Sequence, residues 1–425
     1  MKNGNEMYKL AQNLWPINRS ITGSGVRETL KIIQSYIPEL KIKHFNTGLK
    51  VFDWEIPQEW RVKRAYIISP EGKKFCDFST NNLHLIGYSD TFIGEVTLDE
   101  LQKHLYSIPE KPNSIPYITS YYEKRWGFCI SENERKKLKK GIYEVVIESE
   151  FFDGVLNYGE IFIAGNSKKE IFLSTYICHP SMANNELSGP TVTTFLVKWL
   201  KTLKSLEFSY RIIFIPETIG SIAYLSSNLY QMKKNIKAGF NITCIGDDRT
   251  YSYLPSRSGN SISDKVAKHI LKWIYPKYKN YSWLNRGSDE RQYCSPGVDL
   301  PIATIMRSKF GEYPEYHTSD DNLIKVVSAE GLYGGYEALR KALELLENNA
   351  YYSSKFLGEP NLGSRGLYPT TYSPEKKEKV WRIMNFLTYC DKTRDLIDIA
   401  EILNCPAWEL YEVVKILKEN ELIEN

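Results

Sequence analysis

The sequence predicts an α/β fold: a three-layer sandwich around a mixed, largely parallel sheet, with a small inserted β-rich domain and a C-terminal helical domain. Three observations carry this. Between about residues 136 and 350, apolar runs of strand length alternate with amphipathic stretches of helix length, the pattern of a sheet covered on both faces. Between about 46 and 135 the runs shorten and are divided by Pro, Gly and Asn, which marks a separate β-rich segment. After residue 373, two short helical stretches flank Asn404-Cys405-Pro406.

Taken in order, residues 4–14 and 24–37 read as helices, the second with Val26, Leu30, Ile33 and Ile37 on one face. Arg19 to Gly25 is the turn between them. Residues 1–45 and 136–350 make the expected main domain. The insertion, 46–135, has candidate strands Leu49–Trp54, Arg64–Ile68, His84–Tyr88 and Thr91–Thr97. It ends in the aromatic run Tyr117–Phe128. Tyr121, Tyr122 and Trp126 are candidates to wall a pocket beside Lys124 and Arg125; a packed β edge is the plain alternative. The main domain's strands fall at 143–148, 159–164, 171–178, 210–215, 240–245 and 301–306, and the first two read as an antiparallel edge hairpin. Its helices fall at 190–204, 220–235, 261–275 and 328–346. Pro190 suits a helix start, because Pro at the first helical position loses no needed N–H. Residues 351–373 lack periodicity and read as a connector. Residues 374–425 resemble a winged helix, with Leu396–Leu403 and Trp408–Lys418 around the turn.

Composition narrows the function classes. A chain of 425 residues is too long for one core. The formal charge of +4 is small for that length and gives little reason to expect nucleic acid. From Glu375 onward, eight Lys/Arg face eleven Asp/Glu, a net of −3, so the candidate recognition helix would meet phosphates with carboxylates. No run is long and apolar enough for a bilayer, and the N-terminus has no signal-peptide core. The seven cysteines are scattered, with neither zinc-finger spacing nor a disulfide framework, so a cytoplasmic location is expected.

The chemistry-bearing residues sit where strands end. His179, Glu217 and Asp247 each follow an apolar run, which places them at the carboxyl edge of a parallel sheet, where such sheets bind ligands. Arg286–Tyr293, with Asp289 and Arg291, and Glu312–Asn322, with His317, are polar loops of the same region. Imidazole and carboxylate from separate loops suit zinc. Helix capping is the plain alternative for Glu217, and a structural ion pair for Arg257.

The stretches His179–Pro190, Pro216–Ser221, Ser256–Gly259, Ser288–Gln292 and Tyr316–Asn322, in this order of elements, resemble the zinc aminopeptidase fold of the bacterial leucine aminopeptidase type. The likeness is nearest to the aminopeptidase-like proteins often encoded with polysaccharide-biosynthesis genes. Their catalytic domain is interrupted by a small β domain and followed by a winged helix. The resemblance implies that His179 and His317 are the first and last metal histidines and that Glu217 is base or ligand. Asn185 stands where the class has a bridging Asp, Thr218 where it has a second Glu, and Thr243 where it has another Asp. Glu186 is a candidate to replace the missing Asp by a shift of the loop.

The resulting expectation is a metal-dependent hydrolase of amide or peptide bonds using one zinc ion rather than two. Glu217 is the catalytic residue, and His179, Asn185, Glu217 and His317 are the metal set. Asp247, Arg257, Asp289 and Arg291 contact a small peptide or amide substrate. No nucleic-acid or membrane partner is expected, and self-association is left open. One alternative is a degraded peptidase fold that binds a partner, in a polysaccharide-biosynthesis setting. Another makes the C-terminal domain a DNA reader with the large domain as its sensor.

Overall fold

The structure, a computed structural model, describes residues 2–368 and 374–425, so the end of the expected connector, 369–373, lies outside the described residues. The chain divides into two compact units, Met1–Ser263 with Tyr278–Glu337, and Asp264–Lys277 with Ala338–Asn425.

The first unit is built on an eight-stranded sheet. Its centre is parallel: Ser167–Tyr176 lies between Phe208–Ile215 and Ile236–Asn241, and Ile302–Met306 follows. Lys41–Asn46 and Val155–Ile163 extend it antiparallel on one side. Alternation along the central strand sorts its two faces. Phe172 and Ser174 meet Tyr224 and Tyr293, from helices Ile219–Asn235 and Glu290–Tyr293. Thr175 faces the helix Ser188–Leu200, where a Cβ on Gly189 would stand 2.4 Å from its Oγ1. Helices on both faces of the sheet make this the three-layer α/β arrangement read from the sequence.

The expected edge hairpin does not form. Ile142–Phe152 instead pairs with Glu59–Ile68 and Phe92–Thr97 in a separate four-stranded sheet. Tyr143, Val145 and Ile147 are buried there, and the Tyr143 ring packs edge-on against Phe75. Alternating apolar residues fit either sheet, so pattern alone could not choose the partner. His84–Tyr88, expected as a strand, is mostly irregular after the short 3₁₀ turn Asn82–His84.

The second unit carries a three-stranded sheet of Tyr351–Ser354, Asp391–Asp395 and Ile423–Glu424, with helices Pro374–Thr388, Leu396–Ile402 and Tyr411–Glu419. Tyr351–Ser354, read from sequence as connector, is therefore a strand. His269 is held here as a neutral ring. Its Nε2 accepts from the Ala407 N–H at 2.9 Å, and its Nδ1 lies 2.6 Å from Glu401 Oε1.

Candidate active site

The buried strand Ser167–Tyr176 delivers His179 just beyond its end. One carboxylate fixes that histidine. Glu186 Oε2 accepts from the His179 backbone N–H at 3.0 Å and lies 3.1 Å from ring Nδ1. Glu186 Oε1 stands 3.3 Å from Arg19 Nε, and the same nitrogen donates to the His179 carbonyl at 3.0 Å. Both partners of this ion pair are fully buried. Burial opposes charge on the His179 ring, but Glu186 outweighs it and raises the pKa. With Nδ1 turned to Glu186, Nε2 is directed at Glu217, 3.8 Å from its Oε2.

Glu217 follows Phe208–Ile215, whose parallel register pairs Ile215 with Tyr176, so both strands end on one edge. Its backbone N–H donates to Cys178 Sγ at 3.2 Å. Burial raises the Glu217 carboxyl pKa, against the pull of His179. His317 arrives from a loop with left-handed backbone, φ 54°. Its ring stacks on Tyr316 at 3.9 Å between centroids and stands 5.6 Å from the His179 ring. Burial first, and the charge of His179 second, push its pKa down to about 3. Its Nε2 is buried without a partner. Tyr117 lies 5.1 Å from both imidazoles, and its N–H donates to the His317 carbonyl at 3.0 Å. A cavity of about 200 Å³ opens among these groups, walled further by Ile21, Tyr121, Tyr122 and Thr218.

Two imidazoles and a carboxylate on one small cavity, one nitrogen unpartnered, fit a single zinc ion by donor type. The Asn185 Oδ1 accepts from the Tyr176 hydroxyl at 2.8 Å, and that hydroxyl lies 2.6 Å from Thr243 Oγ1. Thr243 also donates to the Asn185 carbonyl at 3.2 Å. This neutral network includes Asn185 and Thr243, the two positions at which the resemblance implies acidic ligands. Cys178, His179 and Glu186 offer ligand atoms within 4.8 Å of one another. Glu186 is already committed to Arg19 and His179, however, and burial drives the Cys178 thiol pKa well up.

The other expected site residues separate. Asn185 belongs to the hydrogen-bonded network above and does not line the cavity. Glu186 contacts the His179 ring and Arg19. Asp247 is buried elsewhere, accepting from Asn184 Nδ2 at 3.0 Å and from the Ser308 N–H at 2.8 Å. Arg257 is an exposed partner of Asp299, 2.8 Å from Nε to Oδ1. Asp289 and Arg291 stand just outside the cavity through Thr218. The Asp289 Oδ1 accepts the Thr218 N–H at 2.8 Å, and Arg291 Nη2 donates to Thr218 Oγ1 at 3.1 Å. Of the aromatic candidates, Tyr121 and Tyr122 line the cavity, whereas Trp126 stacks between Phe92 and His104. Sequence reasoning missed Arg19 and Tyr117. Only the burial of Arg19 sets it apart, and a turn sequence does not reveal that.

A tie between loops completes the frame. The Asp321 carboxylate accepts from the N–H groups of Asn184 at 2.8 Å and Asn185 at 3.0 Å, and from the Tyr313 hydroxyl at 2.8 Å. The loop after His179 is thereby held to the loop carrying His317.

Residues 8–349 match the family model described as domain of unknown function DUF4910, and residues 350–425 match winged helix-turn-helix. A Clostridium acetobutylicum protein, named for polysaccharide biosynthesis and an aminopeptidase-like domain, is 42% identical over 403 residues, 93% of this chain and 91% of its own length. A crystal structure from the same organism, described as a "putative peptidase", is 40% identical with a TM-score of 0.93, covering 100% of this chain and 96% of that one. A zinc aminopeptidase from Bacillus subtilis shares the fold at 13% identity and a TM-score of 0.61, over 81% of this chain and 94% of its own.

Proposed function

This chain belongs to the DUF4910 family, and from that premise we propose that it is a metal-dependent hydrolase of amide or peptide bonds, aminopeptidase-like, using one zinc ion. The observation that carries the reading is the buried, unpartnered Nε2 of His317, on a residue that lines one cavity with His179 and Glu217. His179 and His317 would hold the ion, with Glu217 beside it. When bound, the ion supplies Lewis acidity toward a scissile carbonyl. Glu186 keeps Nδ1 of His179 engaged and so leaves Nε2 as the donor, the usual work of a carboxylate behind a metal histidine. Glu217, its proton affinity raised by burial, accepts and returns a proton at Oε2. Tyr117, Tyr121 and Tyr122 exclude water and orient a small peptide or amide.

The test is elemental analysis of protein purified without chelator, followed by a screen of aminoacyl amides with wild type and Glu217→Gln. Near-stoichiometric zinc, with turnover lost in the variant, is expected. Zinc-free, inactive protein would sink the reading.

A second reading is a binding protein that keeps the cleft without the chemistry, in the polysaccharide-biosynthesis setting that the relative's name suggests. The neutral Asn185–Tyr176–Thr243 network favours it. Stoichiometric zinc without turnover of any amide would select it. Among the described residues no helix is long and apolar enough to cross a membrane. We assign the work to the cytoplasm, and the winged helix to protein interaction rather than DNA.

A further inference from the structure

A second cavity, of about 400 Å³, lies beside the two histidine loops and shares no lining residue with the first. Ser181, two residues after His179, and Ser319, two after His317, stand on its wall. The rest comes from the N-terminal turn and from residues 78–83 of the insertion. Among the described residues, none that lines it is charged.

Its chemistry is of two kinds. Trp15, half-buried, and Phe78 supply aromatic surface. Hydroxyl and carboxamide groups supply the rest. Ser181 Oγ donates to Asn82 Oδ1 at 2.6 Å, which leaves the Asn82 Nδ2 as a donor. Asn81 Oδ1 is taken up by the Leu83 N–H at 3.0 Å, and Ser319 Oγ accepts from the Ile115 N–H at 3.0 Å. The wall is thus held by its own hydrogen bonds, with amide and hydroxyl capacity to spare.

A neighbouring cavity of about 300 Å³ adjoins it, with Pro16, Asn18 and Phe78 lining both. That neighbour adds Ser20, Thr22 and Ser24. Its charged residues are Arg61, matched by Glu150, and Glu28, so the uncharged lining belongs to the part beside the histidine loops. The whole is an extended groove rather than a single-ring pocket.

We propose that this groove binds a neutral oligosaccharide. A pyranose ring offers a C–H face to an aromatic surface and a rim of hydroxyls that both donate and accept. Carboxamides and serine or threonine hydroxyls match that rim in both directions. The part beside the histidine loops has no cation for a phosphate or carboxylate and no anion for an amine. Its polar wall suits no lipid tail, since polar groups without partners are costly against hydrocarbon. Length along two adjoining cavities selects a chain of sugars over a monosaccharide. The inference is independent of catalysis, because no groove residue belongs to the zinc cavity.

The test is saturation-transfer NMR on the full chain with maltotriose, cellotriose and triacetylchitotriose as probes and trialanine alongside. The variants are Trp15→Ala and Asn18→Ala. Transfer to the ring C–H protons of at least one trisaccharide is expected, with affinity reduced at least about tenfold in Trp15→Ala and about threefold in Asn18→Ala. Melting curves check that each variant folds, and Asn18→Ala decides if Trp15→Ala does not. The proposal is overturned if no trisaccharide gives transfer at about 5 mM. It is equally overturned if binding survives in every folded variant, or if trialanine alone gives the groove-dependent signal. Neither zinc nor turnover enters this readout, so its failure is distinguishable from failure of the hydrolase reading.

Discussion

Replacing Glu186 by Gln tests the buried frame behind His179. The wild-type carboxylate is shared among the Arg19 guanidinium, the His179 N–H and the His179 ring, with both ion-pair partners fully buried. The amide keeps the shape but turns one oxygen into a donor, so wherever it points, a donor meets a donor. It also leaves the Arg19 charge uncompensated, and breaking a buried pair in this way costs about 3–5 kcal/mol. Adding Arg19→Met removes the stranded charge. It also takes donors from the carbonyls of Leu14 and His179, about 1 kcal/mol each. The double variant should therefore recover only about 1–3 kcal/mol of the loss. Urea denaturation followed by tryptophan fluorescence measures all three proteins. If Glu186→Gln stays within about 0.5 kcal/mol of wild type, or the two losses simply add, the pair does not hold the frame as argued.

Asn185→Asp restores an acidic group where the resembled class has one, and should raise the zinc content of protein dialysed against dilute metal. Unchanged content would show that Asn185 does not stand at a bridging position. Glu217→Gln should lower amide turnover by about 100-fold or more while leaving the melting curve in place, and near-normal turnover would remove Glu217 from the proton transfer. In the second unit, burial, opposed by Glu401, lowers the His269 pKa, so the folded state disfavours the protonated ring. Its contribution is present above the unfolded value of about 6.5 and is lost as pH falls below it. Urea titrations at several pH values should show that fall, and His269→Gln should flatten it; an equal slope in the variant refutes the assignment. Duplex DNA should show no salt-sensitive binding at micromolar protein, and binding abolished by deleting residues 375–425 would reverse our reading of the winged helix.

The sequence revealed what depends on strand ends and hid what depends on partners. His179 and Glu217 could be read because each follows an apolar run, and neighbouring parallel strands bring such ends together. Asp247 follows the same rule yet points into the Asn184–Ser308 network, since an acidic residue after a strand looks alike whether it faces ligand or backbone. Arg257 failed for a different reason: Asp299, its partner, is distant in sequence and carries no local mark. The strand Ile142–Phe152 was found but given the wrong sheet, because period-two alternation fixes a face and not a neighbour. Arg19 is invisible at this level, as its role is defined by burial against Glu186.

The dispersed origin of the cavity has a consequence for the order in which the protein matures. Arg19, Tyr117, His179, Glu217 and His317 come from five separate stretches, and the contact of Tyr117 with His317 joins distant parts of the chain. Contacts so far apart form late, because chain entropy must be overcome before they contribute. No two of the proposed ligands are close enough in sequence to grip an ion during synthesis. On the proposed ligand set, metal capture would therefore be a closing event, because His179, Glu217 and His317 meet only in a unit complete through the Asp321 tie.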